Sequence, residues 1–165
     1  MNFEEIFHCF MERQKDLKAV NVASCDDRGK PNSASKMLVE VKSPHQILFL
    51  DYKFTQTYSN MKRNPQLSVS FLDDDSFTGY RLTGVGEYLE TGREYEAAKK
   101  SWEKRLIAYE ADRIIKRIQG LYSTREAENS LPQDFVIVKF TAREASVVKP
   151  DRVLRAIQNP ESARE

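Results

Sequence analysis

Apolar positions follow a helical period at the start of the chain and a period of two afterwards. They recur at spacings of three and four over residues 2–18, where Asn2 and Glu5 are placed as a capping box, and this predicts an N-terminal helix within residues 1–18. Alternating or continuous apolar runs then predict six strands. These strands cover residues 19–25, 31–41, 47–50, 66–72, 77–90 and 134–148.

Two further helices interrupt the strands. Residues 55–64 have room for about three turns, with Thr55 as the N-cap and Pro65 as the residue that stops the helix. Residues 91–120 carry apolar side chains at near-helical spacing between Gly92 and Gly120. A polar loop is predicted over residues 123–133.

The end of the chain is predicted as a tail. Residues 149–165 read as one or two short helical turns followed by a frayed end. Six strands with few helices predict a mainly β protein, a small six-stranded antiparallel barrel with peripheral helices. At 165 residues the chain is expected to form a single domain, residues 1–165.

The net charge, the length of the apolar runs and the cysteine count limit the partners and the location that we expect for this protein. A net charge of +1 with 31% charged residues gives no overall field that favours nucleic acid or an anionic membrane. No apolar run is long enough to span a bilayer, and no signal peptide is visible, so a cytoplasmic protein is expected. Cys9 and Cys25 are expected to be reduced thiols. The acidic run 73–75 is interpreted as a solvated loop, and no metal site is predicted.

Conventional catalytic motifs are missing from the sequence. The two histidines, His8 and His45, have no nucleophile motif beside them, and there is no glycine-rich phosphate loop and no zinc-ligand spacing. Any chemistry is therefore expected to come from a bound cofactor. The best candidate for a ligand site is the segment 51–65, where a strand leads to a helix N-terminus, because unpaired N–H groups and the helix dipole favour an anion there. The alternative for this segment is an ordinary short connecting helix with a threonine cap.

Three motifs together resemble a known family. They are Gly29-Lys30-Pro31 followed by Ser33-Ala34-Ser35-Lys36-Met37, the helical segment from Thr55 to Pro65, and Phe77-Thr78-Gly79-Tyr80-Arg81-Leu82-Thr83-Gly84. In this order they are similar to the motifs of the pyridoxamine 5′-phosphate oxidase-like split barrels, which bind FMN. The match runs from about residue 3 to residue 90.

The resemblance implies a cofactor site and an assembly. Ser35, Lys36 and Met37 would lie along the isoalloxazine ring, Asp51 and Tyr52 beside the ribityl chain, and Thr55, Gln56 and Thr57 against the phosphate. The protein would be a homodimer with FMN in a groove at the subunit interface. Its expected activity is that of an FMN-dependent oxidoreductase acting on a small molecule.

Two departures from the family pattern limit this expectation. Thr57 stands where the family usually has a phosphate-binding lysine, and residues 141–165 contain no tryptophan, unlike the substrate segment of the true pyridoxamine phosphate oxidases. Oxidation of vitamin B6 is therefore not expected. Two alternatives stay open: a split barrel that binds another planar cofactor, haem or a deazaflavin, and a cofactor-free interaction module. Haem would require His8 or His45 as its ligand.

Overall fold

The computed structural model describes residues 1–120 and 134–157. The expected polar loop 123–133 and the end of the tail lie outside the described residues. The described residues form ten helices and strands. They are α1 (Phe3–Arg13), β1 (Ala19–Cys25), β2 (Pro31–Lys42), β3 (Gln46–Asp51), α2 (Gln56–Met61), β4 (Gln66–Asp73), β5 (Thr78–Leu89), α3 (Arg93–Ile118), β6 (Val136–Val148) and β7 (Val153–Ile157).

All strand pairings are antiparallel, and the strand order is β3-β2-β1-β4-β5-β6-β7. A further pairing of β3 with β6 closes β1–β6 into a six-stranded barrel, so the predicted fold class is confirmed. One edge of β6 is divided between two partners. Its residues 136–141 pair with β3 and its residues 144–148 pair with β7. The barrel therefore splits after Ala142.

The prediction of helical turns after residue 149 was wrong for Val153–Ile157, which form strand β7. Beyond Ala142, β3 no longer covers the edge of β6, and β7 supplies the missing backbone partner. Val153, Leu154 and Ile157 have a spacing that a helix and a strand both tolerate. The open edge of β6 decides between them.

The barrel interior is filled by alternate side chains of the strands, as the period of two predicts. One end is closed by the apolar stripe of α1, which buries Phe3, Ile6, Phe7 and Phe10 against these side chains. The strand residues in this cluster are Val20, Val22, Leu38, Val41, Ile47, Phe49, Leu67, Val69, Phe71, Leu82, Val138, Phe140, Ala142, Ala145 and Val147.

A second apolar cluster lies outside the barrel. Helix α3 packs Ala98 and Trp102 against the outer face of β2, β3 and β6, where it covers Leu48 and Ile137. Both faces of β3 are thus buried, which explains its continuous apolar run. No helix in the described part of the chain is both long enough and apolar enough to cross a membrane.

Helix α1 begins with the predicted capping box of Asn2 and Glu5 but ends at Arg13, five residues before the predicted limit. The reason is a tertiary contact beyond the helix. The Arg105 guanidinium of α3 donates hydrogen bonds to the carbonyl oxygens of Gln14 and Leu17. These bonds satisfy the carbonyl groups of a turn that is no longer helical, while Leu17 still packs against the barrel core.

Two of the three glycines in β5 are required by close approach. A Cβ added at Gly84 would lie 2.0 Å from the carbonyl oxygen of Thr141, at a bulge in the β5–β6 register. A Cβ at Gly86 would meet the side chains of Leu67 and Met61 at 2.6 and 2.7 Å. Gly79 is in ordinary contact only, so of the three glycines Gly84 and Gly86 are the ones that the packing requires.

Candidate functional site

A buried ion pair lies at the end of the barrel beside α2. Lys36 of β2 is paired in register with Val20, so its side chain faces the barrel interior rather than the outer surface. Its Nζ lies 2.5 Å from Oδ1 of Asp51, the last residue of β3, and the two side chains are only 6% and 0% exposed. Oδ1 of Asp51 also accepts hydrogen bonds from the Tyr52 N–H and the Thr55 hydroxyl.

The second carboxylate oxygen of Asp51 has no such partner. Oδ2 is buried and receives no hydrogen bond from any described residue. An unpaired buried acceptor costs about 1–3 kcal/mol, and more when it is charged. The site therefore offers a strong acceptor to a ligand that can bring a donor group to the end of β3.

Helix α2 is fixed in place by Thr55. The Thr55 hydroxyl accepts from the Tyr58 N–H, as predicted for an N-cap, and donates to Asp51 over 2.7 Å. The helix has six residues and ends at Met61, shorter than the predicted span of 55–64. Beyond its end, the Asn64 N–H still donates to the Asn60 carbonyl oxygen, so the chain turns before Pro65.

A network of polar side chains joins α2 to the β1–β2 hairpin. The Asn32 amide donates to the hydroxyls of Ser24 and Thr57, at 3.3 and 3.2 Å. The Asn60 amide also donates to Ser24, and Gln56 donates to Asn60. Ser24, Asn32 and Asn60 are not among the site residues predicted from the sequence, although the polar first half of β2 is a signal that points to Asn32.

The structure separates the three residues expected along the isoalloxazine ring. Neighbouring side chains of a strand point to opposite faces. Lys36 points inward, while Ser35 is exposed on the outer face and donates to Asn21 over 2.9 Å. Met37 is half-buried and contacts the α3 cluster.

The residues expected beside the ribityl chain and the phosphate also differ in exposure. Tyr52 is half-buried and stacks on Phe54, and burial followed by the Asp51 charge raises the pKa of its phenol. Gln56 is exposed at the start of α2. Thr57 is only 1% exposed, and its hydroxyl accepts from Asn32. The structure therefore brings Lys36, Asp51 and Thr55 together but turns Thr57 toward the interior.

The charge of Asp51 also affects Tyr88 on β5. The Tyr88 hydroxyl donates to the carbonyl oxygen of Tyr58 at 3.4 Å, and the two rings are 4.7 Å apart. The pKa of the Tyr88 phenol is raised, mainly by burial and then by the charges of Asp51 and Tyr58. A neutral phenol thus lines the same end of the barrel.

Both histidines lie away from this site. His45 stands just before β3, at the opposite end of that strand from Asp51, which is about 20 Å along the backbone at 3.3 Å per residue. Its ring is buried against Phe3 and Phe7, and its Nε2 is 2.8 Å from the Glu4 carboxylate. His8 is exposed on α1 and pairs with a glutamate one turn on.

The acidic turn at the end of β4 is held in place by hydrogen bonds to Asp73. The carboxylates of Asp73, Asp74 and Asp75 lie within 4.8 Å of one another. Asp73 accepts from the Ser76 hydroxyl and from Arg13, and these contacts lower the pKa of its carboxyl. The cluster is thus tied to α1 by an ion pair.

The sequence was compared with protein-family models and with curated protein sequences. The family model described as pyridoxamine 5′-phosphate oxidase matches residues 10–149. No curated protein sequence matches the chain.

Several solved structures share its fold. A protein from Clostridium acetobutylicum related to general stress protein 26, of the pyridoxinephosphate oxidase family, is 18% identical, with 96% of this chain and 97% of that chain covered and a TM-score of 0.65. A pyridoxamine 5′-phosphate oxidase-related, FMN binding protein from Nostoc punctiforme is 11% identical, with 96% and 92% covered and a TM-score of 0.60. A heme binding protein from Mycobacterium smegmatis is 15% identical, with 96% and 64% covered and a TM-score of 0.63.

Proposed function

The chain belongs to the pyridoxamine 5′-phosphate oxidase family, and from that membership we propose that it is an FMN-binding oxidoreductase acting on a small molecule. One observation carries the proposal. Oδ2 of Asp51 is a buried acceptor with no donor among the described residues, at the strand end where the family resemblance puts the ribityl chain. A ribityl chain presents hydroxyl donors, which match this acceptor.

The neighbouring side chains fit the same cofactor. The Lys36 ammonium has three donors and uses one for Asp51, so it can donate to a second ligand oxygen. Ser35 offers a small polar side chain on the outer face of β2, against which a flat ring can lie. When bound, FMN supplies the reversible uptake of two electrons. The role of Lys36 and Thr55 is to hold the Asp51 carboxylate in one orientation.

We place the phosphate beside the first turn of α2, near Thr55 and Gln56. Lys53, exposed in the turn before α2, supplies a positive charge on that side. This arrangement differs from the family pattern, because Thr57 faces the interior and bonds to Asn32. We therefore give Thr57 the role of holding α2 against the β1–β2 hairpin, and we expect the phosphate to be bound more weakly than by a lysine.

The proposal includes a homodimer. A flat cofactor needs two walls, and a barrel filled by its own side chains offers only its outer surface. The outer face of β1 and β2 is exposed and polar at Asn21, Ser33 and Ser35, and we propose that the second subunit covers it.

The free thiols of Cys9 and Cys25 agree with the reducing cytoplasm, which we propose as the location.

Haem is the second candidate cofactor, because a heme binding protein shares this fold. The histidine positions favour the flavin at the Asp51 site, since His8 and His45 both lie toward the α1 side of the barrel. A deazaflavin carries a similar polyol chain and would use the same acceptor. A cofactor-free interaction module gives no account of the unpaired Asp51 oxygen.

The experiment is a titration of cofactor-free protein with FMN, riboflavin and hemin, followed by flavin fluorescence and by haem absorbance. FMN is expected to saturate at one molecule per chain, and riboflavin to bind more weakly. Ser35→Trp should block the ring and prevent binding, whereas Lys99→Trp, on the exposed face of α3, should have no effect. If hemin saturates the protein and FMN does not, the proposed cofactor is haem and not FMN.

The dimer is tested separately, by analytical ultracentrifugation of the FMN-loaded protein. A dimer at micromolar concentration supports the interface. A monomer that retains one FMN would refute the two-wall arrangement while leaving the cofactor assignment intact.

A further inference from the structure

A row of three polar residues crosses strands β5, β6 and β7 on the outer face of the sheet. Arg81 is paired in register with Ser146, and Ser146 is paired with Arg155. Adjacent strands lie about 4.8 Å apart, so the Cα atoms of the two arginines are separated by about 10 Å. Their side chains project from the same face and can converge on a group held above Ser146.

Ser146 forms the floor of this arrangement. Its side chain is buried, at 4% exposure, and its hydroxyl oxygen accepts from Nε of Arg81 over 3.1 Å. A hydroxyl also has one proton to donate. No described residue receives that proton in a hydrogen bond. The buried hydroxyl can therefore donate to a ligand that lies between the two arginines.

The charges of the row are not neutralised within the described part of the chain. Neither Arg81 nor Arg155 forms an ion pair with a described carboxylate. Glu144, one position further along the sheet face, accepts instead from the Thr83 hydroxyl at 3.4 Å. The groove has a volume of about 310 Å³ and is bordered on one side by the exposed side chain of Ile157.

We infer that this groove binds the oxyanion group, a carboxylate or a phosphate, of a small molecule whose apolar part rests on Ile157. Guanidinium groups bind planar carboxylates and phosphates through paired N–H donors, which a single lysine does not offer. Two arginines and one glutamate leave one net positive charge, enough for a single anionic group. The groove is separate from the Lys36–Asp51 site, and the inference does not depend on the cofactor.

The test is an NMR titration of ¹⁵N-labelled protein with benzoate and, separately, with inorganic phosphate. We expect saturable shifts of the Ser146 and Arg155 amides. Arg81→Gln and Arg155→Gln should each weaken binding about tenfold or more, since each removes charge-assisted hydrogen bonds. Glu144→Gln should tighten binding. Arg152→Gln is the matched control, because Arg152 lies just before β7 and pairs with Asp151 instead.

Binding of benzoate alone would identify a carboxylate site, binding of phosphate alone a phosphate site, and binding of both a general oxyanion site. Each of these supports the inference. Two results overturn it: no saturable shift with either anion, or equal affinity in the wild type and the Arg155→Gln variant. Arg155 is exposed and its side chain forms no hydrogen bond or ion pair with a described residue, so that variant is expected to fold even where Arg81→Gln does not.

Discussion

Nζ of Lys36 and Oδ1 of Asp51 form an ion pair that ties β2 to β3 at the end of the barrel beside α2. Both side chains are almost fully buried, so water does not solvate the charges if one partner is removed. Removal of one member of such a pair lowers the free energy of unfolding by about 3–5 kcal/mol, because the other charge is left buried without a partner. The pair is therefore expected to govern both stability and the shape of the candidate site.

The first prediction concerns this pair. Lys36→Met and Asp51→Asn should each lower the free energy of unfolding by about 3 kcal/mol or more, whereas the double variant should lose much less than the sum. Urea denaturation of the cofactor-free proteins gives the four values of the double-mutant cycle. Strictly additive losses would mean that the two charges are not coupled in solution.

The second prediction is a loss of stability in alkali through Tyr88. Burial, and then the charges of Asp51 and Tyr58, raise the pKa of this phenol above its ordinary value of 10.0. A pKa that is higher in the folded state gives stability that is present below about pH 10 and is lost as the pH rises toward the folded value. Unfolding free energies measured between pH 8 and 11 should decline in the wild type.

Tyr88→Phe should flatten this decline, since it removes the titrating group and only one long hydrogen bond. Tyr52→Phe serves as a comparison at a less buried phenol. An unchanged alkaline decline in Tyr88→Phe would assign the effect to other groups.

The third prediction concerns Glu94 in the first turn of α3. Hydrogen bonds from Lys139 and then from Lys42 lower the pKa of its carboxyl, so its stabilising effect is present above about pH 4.5 and is lost as the pH falls through the lower folded value. Glu94→Gln should cost about 1 kcal/mol or less at pH 7, because the group is partly exposed. The cost should shrink as the pH falls below about 4.5.

Glu96→Gln is the matched control, because Glu96 is exposed in the same helical turn and has no ion pair with a described residue. It experiences the same helix dipole as Glu94. Equal effects of the two variants would assign the stabilisation to the dipole rather than to Lys139.

The fourth prediction tests the bulge in β5. Gly84→Ala should cost several kcal/mol or prevent folding, because the new methyl group would overlap the backbone of Thr141. Gly79→Ala should change the unfolding free energy by less than about 1 kcal/mol, since its methyl group would lie 3.7 Å from Val148 Cβ. Thermal unfolding of both variants checks this contrast, and similar melting temperatures would contradict it.

The sequence by itself determined the elements whose signals are local. The capping box of Asn2 and Glu5, the N-cap at Thr55 and the alternation of the strands follow from side chains within a few residues of one another. The barrel class followed from the number of strands, and the motifs from Gly29 to Gly84 pointed to the family that the family model matches.

Tertiary structure decided what depends on distant partners. β7 is a strand because β3 leaves half of one edge of β6 open, and α1 stops early because Arg105 satisfies the carbonyl groups after it. The same holds at the site. Thr57 turns inward because Asn32, on another strand, offers it a donor, and the free oxygen of Asp51 is visible only once every neighbour is in place. Hydrogen bonds between segments far apart in the chain leave no periodic trace in the sequence.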